Sequence, residues 1–94
     1  MQKRLVTIHN KAGIHCRPSS VILNTLNERF PDHTVQITVD GETTDITGSI
    51  LALISLGLTY ESSATLCIEG PNEEQAIQTI GDLFENEFDT EKQN

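Results

Sequence analysis

The residues best suited to chemistry are the run Gly13-Ile14-His15-Cys16-Arg17-Pro18, a glycine-led loop that enters an apolar helical pattern. Pro18 suits the first turn of a helix, so His15 and Cys16 are expected at the helix start. That position offers unpaired backbone N–H groups and the positive end of the helix dipole, which together bind anions. Arg17 adds a planar guanidinium that recognises phosphate or carboxylate. A neutral imidazole facing such a phosphate cradle indicates phosphoryl transfer through a phosphohistidine.

Each of these assignments has a simpler alternative. His15 could be a partly exposed loop histidine, and Arg17 could be a surface arginine paired with a carboxylate. Cys16 could act as a nucleophile or redox switch, because a helix start beside an arginine favours a thiolate. The other two histidines, His9 and His33, lack such a setting and are interpreted as surface or strand-edge residues.

Composition limits the remaining possibilities. A chain of 94 residues is expected to form one domain over residues 1–88, with a two-layer core and a polar tail over residues 89–94. The formal charge of −8 disfavours nucleic acid and anionic membranes as partners. No long apolar run or signal-peptide pattern is present, so the cytoplasm is the expected compartment.

The two cysteines, Cys16 and Cys67, lie far apart in sequence and in different local patterns. Reduced thiols are the simpler interpretation, although sequence leaves a disulfide open. No Cys/His spacing typical of a metal site occurs, and we expect neither a metal nor a cofactor.

Apolar periodicity and turn signals predict the order β-α-β-β-α-β-α. The predicted segments are a strand at 4–8, a helix at 17–29, a strand at 35–39, a return strand at 42–46, a short apolar helix at 50–54, a strand at 64–68 and a last helix. Asp40-Gly41 is a hairpin signal between the second and third strands. Asn72 is the expected N-cap of the last helix, with Gln75 three residues later, and the apolar face is expected to reach Phe88. Alternating strands predict an antiparallel α+β sandwich whose sheet is covered by helices on one face.

The run Asn10-Lys11-Ala12-Gly13-Ile14-His15-Cys16-Arg17-Pro18-Ser19 resembles the active-site segment of HPr, the histidine-containing phosphocarrier family of the bacterial sugar phosphotransferase system. The run from Gly48 to Gly57 is similar to that family's second helix. The resemblance implies an open-faced β-sandwich, with a four-stranded antiparallel sheet of order 1-4-2-3 and three helices on one face. It also implies a carrier that is a protein substrate rather than an enzyme.

By the same resemblance, His15 would accept a phosphoryl group from enzyme I and pass it to an enzyme IIA-type domain. Arg17 would stabilise the phosphate, and Cys16 and Pro18 would form the helix start of the phosphate cradle. Ser49 corresponds to a regulatory position that a serine kinase/phosphorylase modifies in some bacteria. The residues expected to dock partners on a monomeric carrier are Ser20, Ile50, Leu51 and Ile54.

The chain departs from the family pattern in several places. Cys16 stands where a small residue usually follows the histidine, and Ala52 stands where a glycine is common. The segment between Arg17 and Ser49 is a few residues longer than usual. The lysines that often surround the docking face are missing, because the corresponding positions of the first helix are Ser20, Asn24 and Asn27.

Two other functions remain open at this stage. One is a regulatory binding module that docks a transcription factor or enzyme through the second helix, with Ser49 as its switch and His15 idle. The other is enzymatic or redox chemistry at Cys16. The purely structural alternative for Ser49 is that it serves as the N-cap of the second helix. The second helix and Leu58 together carry more apolar residues than one buried face of a short helix can hold, namely Ile50, Leu51, Leu53, Ile54 and Leu58. We therefore expect part of this apolar cluster to be exposed.

Overall fold

The computed structural model describes residues 1–87 and shows the element order that the sequence predicts. The expected end of the domain at Phe88 and the tail at residues 89–94 lie outside the described residues. The elements are β1 (Gln2–Thr7), α1 (Cys16–Arg29), β2 (Thr34–Val39), β3 (Glu42–Asp45), α2 (Ile50–Ser55), β4 (Ser63–Glu69) and α3 (Glu73–Phe84).

The four strands form one antiparallel sheet in the order β1-β4-β2-β3. Val6 pairs with Ala64, and Leu66 pairs with Ile37, so these buried side chains share the face that the helices cover. The opposite face carries polar residues and the exposed Leu5, which pairs with Thr65. The alternation predicted for β2 is therefore correct, because only one face of the sheet is covered.

Local signals account for most element boundaries. Asp40 and Gly41 both have positive φ, at 52° and 84°, as a type I′ hairpin turn requires. The helix α1 ends at Arg29, and the Phe30 amide donates to the Leu26 carbonyl just before Pro31. The residue before a proline is disfavoured in helical geometry, which explains why this helix stops there.

The predicted cap of the last helix is wrong in its chemistry. Asn72 does occupy the N-cap position of α3, but it adopts the left-handed conformation and its side chain makes no capping bond. Instead, the Glu73 carboxylate accepts a hydrogen bond from the Gly70 amide at 3.1 Å, while the Asn72 backbone carbonyl receives the amide of Gln75. The helix itself ends at Phe84, earlier than the apolar pattern suggested.

His33 was interpreted as a surface or strand-edge residue; it does directly precede β2, but the surface alternative is wrong. Its side chain is buried, with Nε2 bonded to the Pro71 carbonyl and its ring set edge-on to Phe30 at 5.2 Å between centroids. A Cβ at Gly70 would lie only 2.7 Å from the His33 ring. The connection between β4 and α3 therefore closes over this histidine, which sequence periodicity could not show.

Candidate functional site

The start of α1 has the geometry of an open anion site. His15 is its N-cap, in extended conformation, and its carbonyl accepts a hydrogen bond from the Ser19 amide at 3.0 Å. No side chain caps this helix and no acidic residue lies in its first turn. The amides of Cys16 and Arg17 belong to the first turn, where helical N–H groups have no carbonyl of their own helix to bond. Pro18, in that same turn, has no N–H to satisfy, which suits it to this position.

The His15 side chain is half-buried at this helix start, and its Nε2 is shielded from solvent. An incoming group could therefore reach Nε2 only if the ring moved. The two ring nitrogens of His15 are chemically distinct, and Nε2 is the one shown to be shielded.

Arg17 is exposed, and the ion pairs found among residues 1–87 do not involve it. The alternative in which Arg17 pairs with a carboxylate is thus not seen in the described part of the chain. By contrast, Arg4 contacts both Asp82 and Glu85, at 3.1 and 2.9 Å. Within residues 1–87, therefore, no ion pair occupies the Arg17 guanidinium, whose fork of donors suits a bidentate anion.

The loop before His15 is held by contacts with a distant segment. Gly13 has φ +77°, and a Cβ there would lie 2.5 Å from the Leu58 carbonyl oxygen. The next amide, that of Ile14, donates to the same oxygen at 2.9 Å. Asn10, which is fully buried, bonds to Gly13 through both its carbonyl oxygen and its side-chain nitrogen. His15 therefore follows a rigidly anchored turn.

The second helix presents an apolar surface, as expected. Leu51 is 76% exposed, Ile50 and Ile54 are half-buried, and Leu53 is fully buried. Leu58, just beyond the helix, is buried as well, so the expectation that only part of this apolar cluster is exposed is confirmed. Because the Leu58 carbonyl binds Ile14, the segment that follows α2 lies beside the loop that carries His15.

Comparison with known proteins gives a consistent result. The family model described as "PTS HPr component phosphorylation site" matches residues 2–86. The chain belongs to the HPr family. It is 31% identical to the phosphocarrier protein HPr of Treponema pallidum, across 97% of this chain and all of that protein. It is 33% identical to the Mycoplasma pneumoniae phosphocarrier protein HPr, across 90% of this chain and 94% of that protein.

Solved structures of the HPr family share the fold. HPr of Bacillus anthracis superposes with a TM-score of 0.76 at 27% identity, covering 87% of this chain and 94% of that one. HPr-C-His of Thermoanaerobacter tengcongensis gives 0.78 at 28% identity, with coverages of 89% and 91%. The open sheet of order 1-4-2-3 with three helices is the architecture that the resemblance implied.

Ser49, the regulatory position implied by the HPr resemblance, is the N-cap of α2. Its hydroxyl oxygen accepts a hydrogen bond from the Ala52 amide at 3.1 Å, and the side chain is half-buried. Ser49 therefore acts as an ordinary N-cap of α2 in the structure. Ser20, on α1, is also half-buried.

The two cysteines are free thiols, so no disulfide joins them. Cys16 is exposed at the helix start, whereas Cys67 is buried in β4. Within residues 1–87, no group of three or more potential ligands is placed to bind a metal ion. No helix of this part of the chain is long and apolar enough to cross a membrane.

Sequence reasoning missed two residues that shape the site. Asn10 is a buried polar residue in the loop between β1 and α1, and the only local signal was its place in an Asn-x-x-Gly turn. Leu58 acts through its backbone carbonyl, which receives Ile14, and side-chain patterns carry no information about such a contact.

Proposed function

We propose that this chain is a phosphocarrier that accepts a phosphoryl group from phospho-enzyme I on His15 and passes it to an enzyme IIA-type domain. The observation that carries the proposal is the position of His15 at the uncapped start of α1, with no acidic residue in the first turn. Arg17, exposed and outside the ion pairs of the described residues, supplies the cation.

The acceptor atom in this proposal is Nδ1 of His15, because Nε2 is shielded from solvent. The Nδ1 lone pair attacks phosphorus as the bond from phosphorus to the donor histidine breaks, and that bond's electron pair returns to the donor ring. The first-turn amides of Cys16 and Arg17, with the Arg17 guanidinium, stabilise the transferred charge of about −2. Pro18 holds the backbone in the geometry this requires.

Onward transfer to the enzyme IIA-type partner uses the same groups of this chain. The phosphorylated His15 becomes the donor, and the imidazole of the enzyme IIA-type partner becomes the nucleophile. The chain supplies no turnover of its own, because each step belongs to a complex with a partner. Weak, fast association is therefore the proposed mode of contact, with the carrier acting as a monomer in the cytoplasm.

The proposed docking surface consists of Ser20, Ile50, Leu51 and Ile54. Leu51 is the most exposed member, so it has the most apolar surface to remove from water when a partner binds. Because the chain carries a net charge of −8, this docking relies more on apolar contact than on steering toward acidic partners.

Intact-mass analysis after incubation with phosphoenolpyruvate and cognate enzyme I tests the proposal. We expect a gain of about 80 Da, the mass of one phosphoryl group, that acid removes and that His15→Ala lacks. Arg17→Lys keeps the charge but loses the bidentate fork, so its phosphorylation rate should fall about tenfold or more. No mass gain with a demonstrably active cognate enzyme I would refute the carrier function.

The competing function is a regulatory module switched at Ser49 by a serine kinase/phosphorylase. The observation that favours it is the place of the Ser49 hydroxyl at the start of α2, beside the exposed Leu51. A phosphoryl group there would add charge to the edge of the docking surface. Binding of a regulatory protein that survives His15→Ala but is changed by Ser49→Ala would support this function over the carrier.

A further inference from the structure

Asn10 is a polar side chain in an unusual place. It lies in the loop between β1 and α1, and its exposed fraction is 0%. A buried amide is costly unless its hydrogen-bonding groups are satisfied, so a polar residue at such a position has a structural or functional reason. Its position five residues before His15 directs attention to the site.

Two hydrogen bonds of Asn10 involve the same residue, Gly13. Its side-chain Nδ2 donates to the Gly13 carbonyl at 2.8 Å, and its backbone carbonyl accepts the Gly13 amide, also at 2.8 Å. Both polar backbone groups of Gly13 are thus held by Asn10. On the other side, Gly13 lies against the Leu58 carbonyl, which also receives the Ile14 amide at 2.9 Å.

This arrangement fixes the chain just before the nucleophile. With the Gly13 carbonyl held, the peptide plane between Gly13 and Ile14 cannot rotate without breaking a buried hydrogen bond. Ile14 is itself buried, and His15 follows as the N-cap of α1. The Asn10 carboxamide, together with the Leu58 carbonyl that receives the Ile14 amide, therefore fixes the backbone that leads into His15.

We infer that Asn10 is a positioning residue for phosphorylation: its carboxamide holds Gly13 and thereby places His15 against the anion-binding start of α1. The inference rests on the proposed carrier function. Asn10 does not touch the phosphoryl group or the partner, because it is fully buried. Its removal should lower the rate of the chemical step and leave partner affinity unchanged.

The test compares Asn10→Ala and Asn10→Asp with the unsubstituted protein in steady-state phosphorylation by cognate enzyme I. The aspartate is nearly isosteric but lacks the N–H donor. We expect kcat to fall on the order of tenfold, because small misplacement of a reacting group is costly, while KM stays within about twofold. Asn72→Asp makes the same charge change at an exposed residue of the α3 N-cap and should change neither constant.

Circular dichroism at the assay temperature separates positioning from unfolding, since only folded variants are compared. If both Asn10 variants fail to fold, Asn10→Ser is assayed instead, because its shorter side chain still carries a hydrogen-bond donor. A reduced kcat is expected for this variant as well. A folded Asn10 variant with kcat within twofold of the unsubstituted protein would overturn the inference while leaving the carrier function intact. Absence of phosphorylation in the unsubstituted protein would instead overturn the proposed function, and this inference with it.

Discussion

The close approach of Gly13 to Leu58 predicts that Gly13→Ala is strongly destabilising. The residue has φ +77°, a conformation that costs an L-residue with a Cβ about 1–2 kcal/mol. The new Cβ would lie 2.5 Å from the Leu58 carbonyl oxygen, so the two segments must separate by about 0.5 Å to reach the 3.0 Å that real contacts require. That movement strains the bond between the Ile14 amide and Leu58, which is worth about 1 kcal/mol.

Together these effects lower the free energy of unfolding by about 2–3 kcal/mol, which corresponds to a fall in Tm of roughly 10–20 °C for a domain of this size. Urea denaturation followed by circular dichroism measures the loss directly. The matched control is Gly41→Ala, at φ +84° with no atom within 4 Å of the new Cβ. It carries only the backbone strain and should lose about 1–2 kcal/mol, about 1 kcal/mol less than Gly13→Ala.

The comparison isolates the contact with Leu58, because both glycines have positive φ and only one of them is crowded. Equal losses of stability in the two variants would refute the reasoning. They would mean that the loop before His15 can move away from Leu58 at little cost, and that the segment following α2 does not hold the site.

Three further predictions concern the second helix and the hairpin. Ser49→Ala removes the N-cap of α2 and should lower unfolding free energy by about 1 kcal/mol, whereas Ser49→Asp, which keeps a cap, should lose little in urea denaturation. Leu51→Ala should weaken enzyme I binding in titration calorimetry and change the free energy of unfolding by under about 0.5 kcal/mol. Leu53→Ala, in the core, should instead lower the free energy of unfolding by about 2–5 kcal/mol. A larger loss of stability for Leu51→Ala than for Leu53→Ala would contradict the assignment of Leu51 to the docking surface. Hydrogen bonds from Thr47 lower the pKa of Asp45 below the ordinary 3.8 of the unfolded chain. The stabilising effect of these bonds is present above that ordinary pKa and is lost as pH falls through the lower pKa of the folded state. Asp45→Asn should therefore reduce the loss of stability below about pH 4, and an unchanged pH profile would count against this bond.

Features set by neighbours in sequence were predictable. The start of α1 follows from Pro18 and the apolar spacing behind it, and the cap of α2 follows from Ser49 ahead of an apolar run. The hairpin of β2 and β3 follows from Asp40-Gly41, whose residues tolerate positive φ. In each case the interacting groups lie within about four residues, so that local physical chemistry is sufficient.

Other expectations failed because the deciding partner was distant. His33 was expected at the surface or at a strand edge. It does precede β2, but the connection before α3 buries its side chain, whose hydrogen bond joins residues separated by 38 positions. Asn72 has a side chain suited to capping, yet it adopts the left-handed conformation and makes no capping bond, while the Glu73 carboxylate bonds to the Gly70 amide ahead of the helix. Propensity states what a residue can do, and packing between elements selects among the possibilities.

The candidate site likewise has features that the sequence determines and features that depend on the tertiary structure. The sequence alone determined which groups could meet a phosphoryl group, because His15 and Arg17 are neighbours at a helix start. Only the tertiary structure decided how firmly they are held, through buried Asn10 and through the Leu58 carbonyl against Gly13. The reason is that a nucleophile's identity is a property of one side chain, whereas its position depends on backbone contacts between segments that are far apart along the chain.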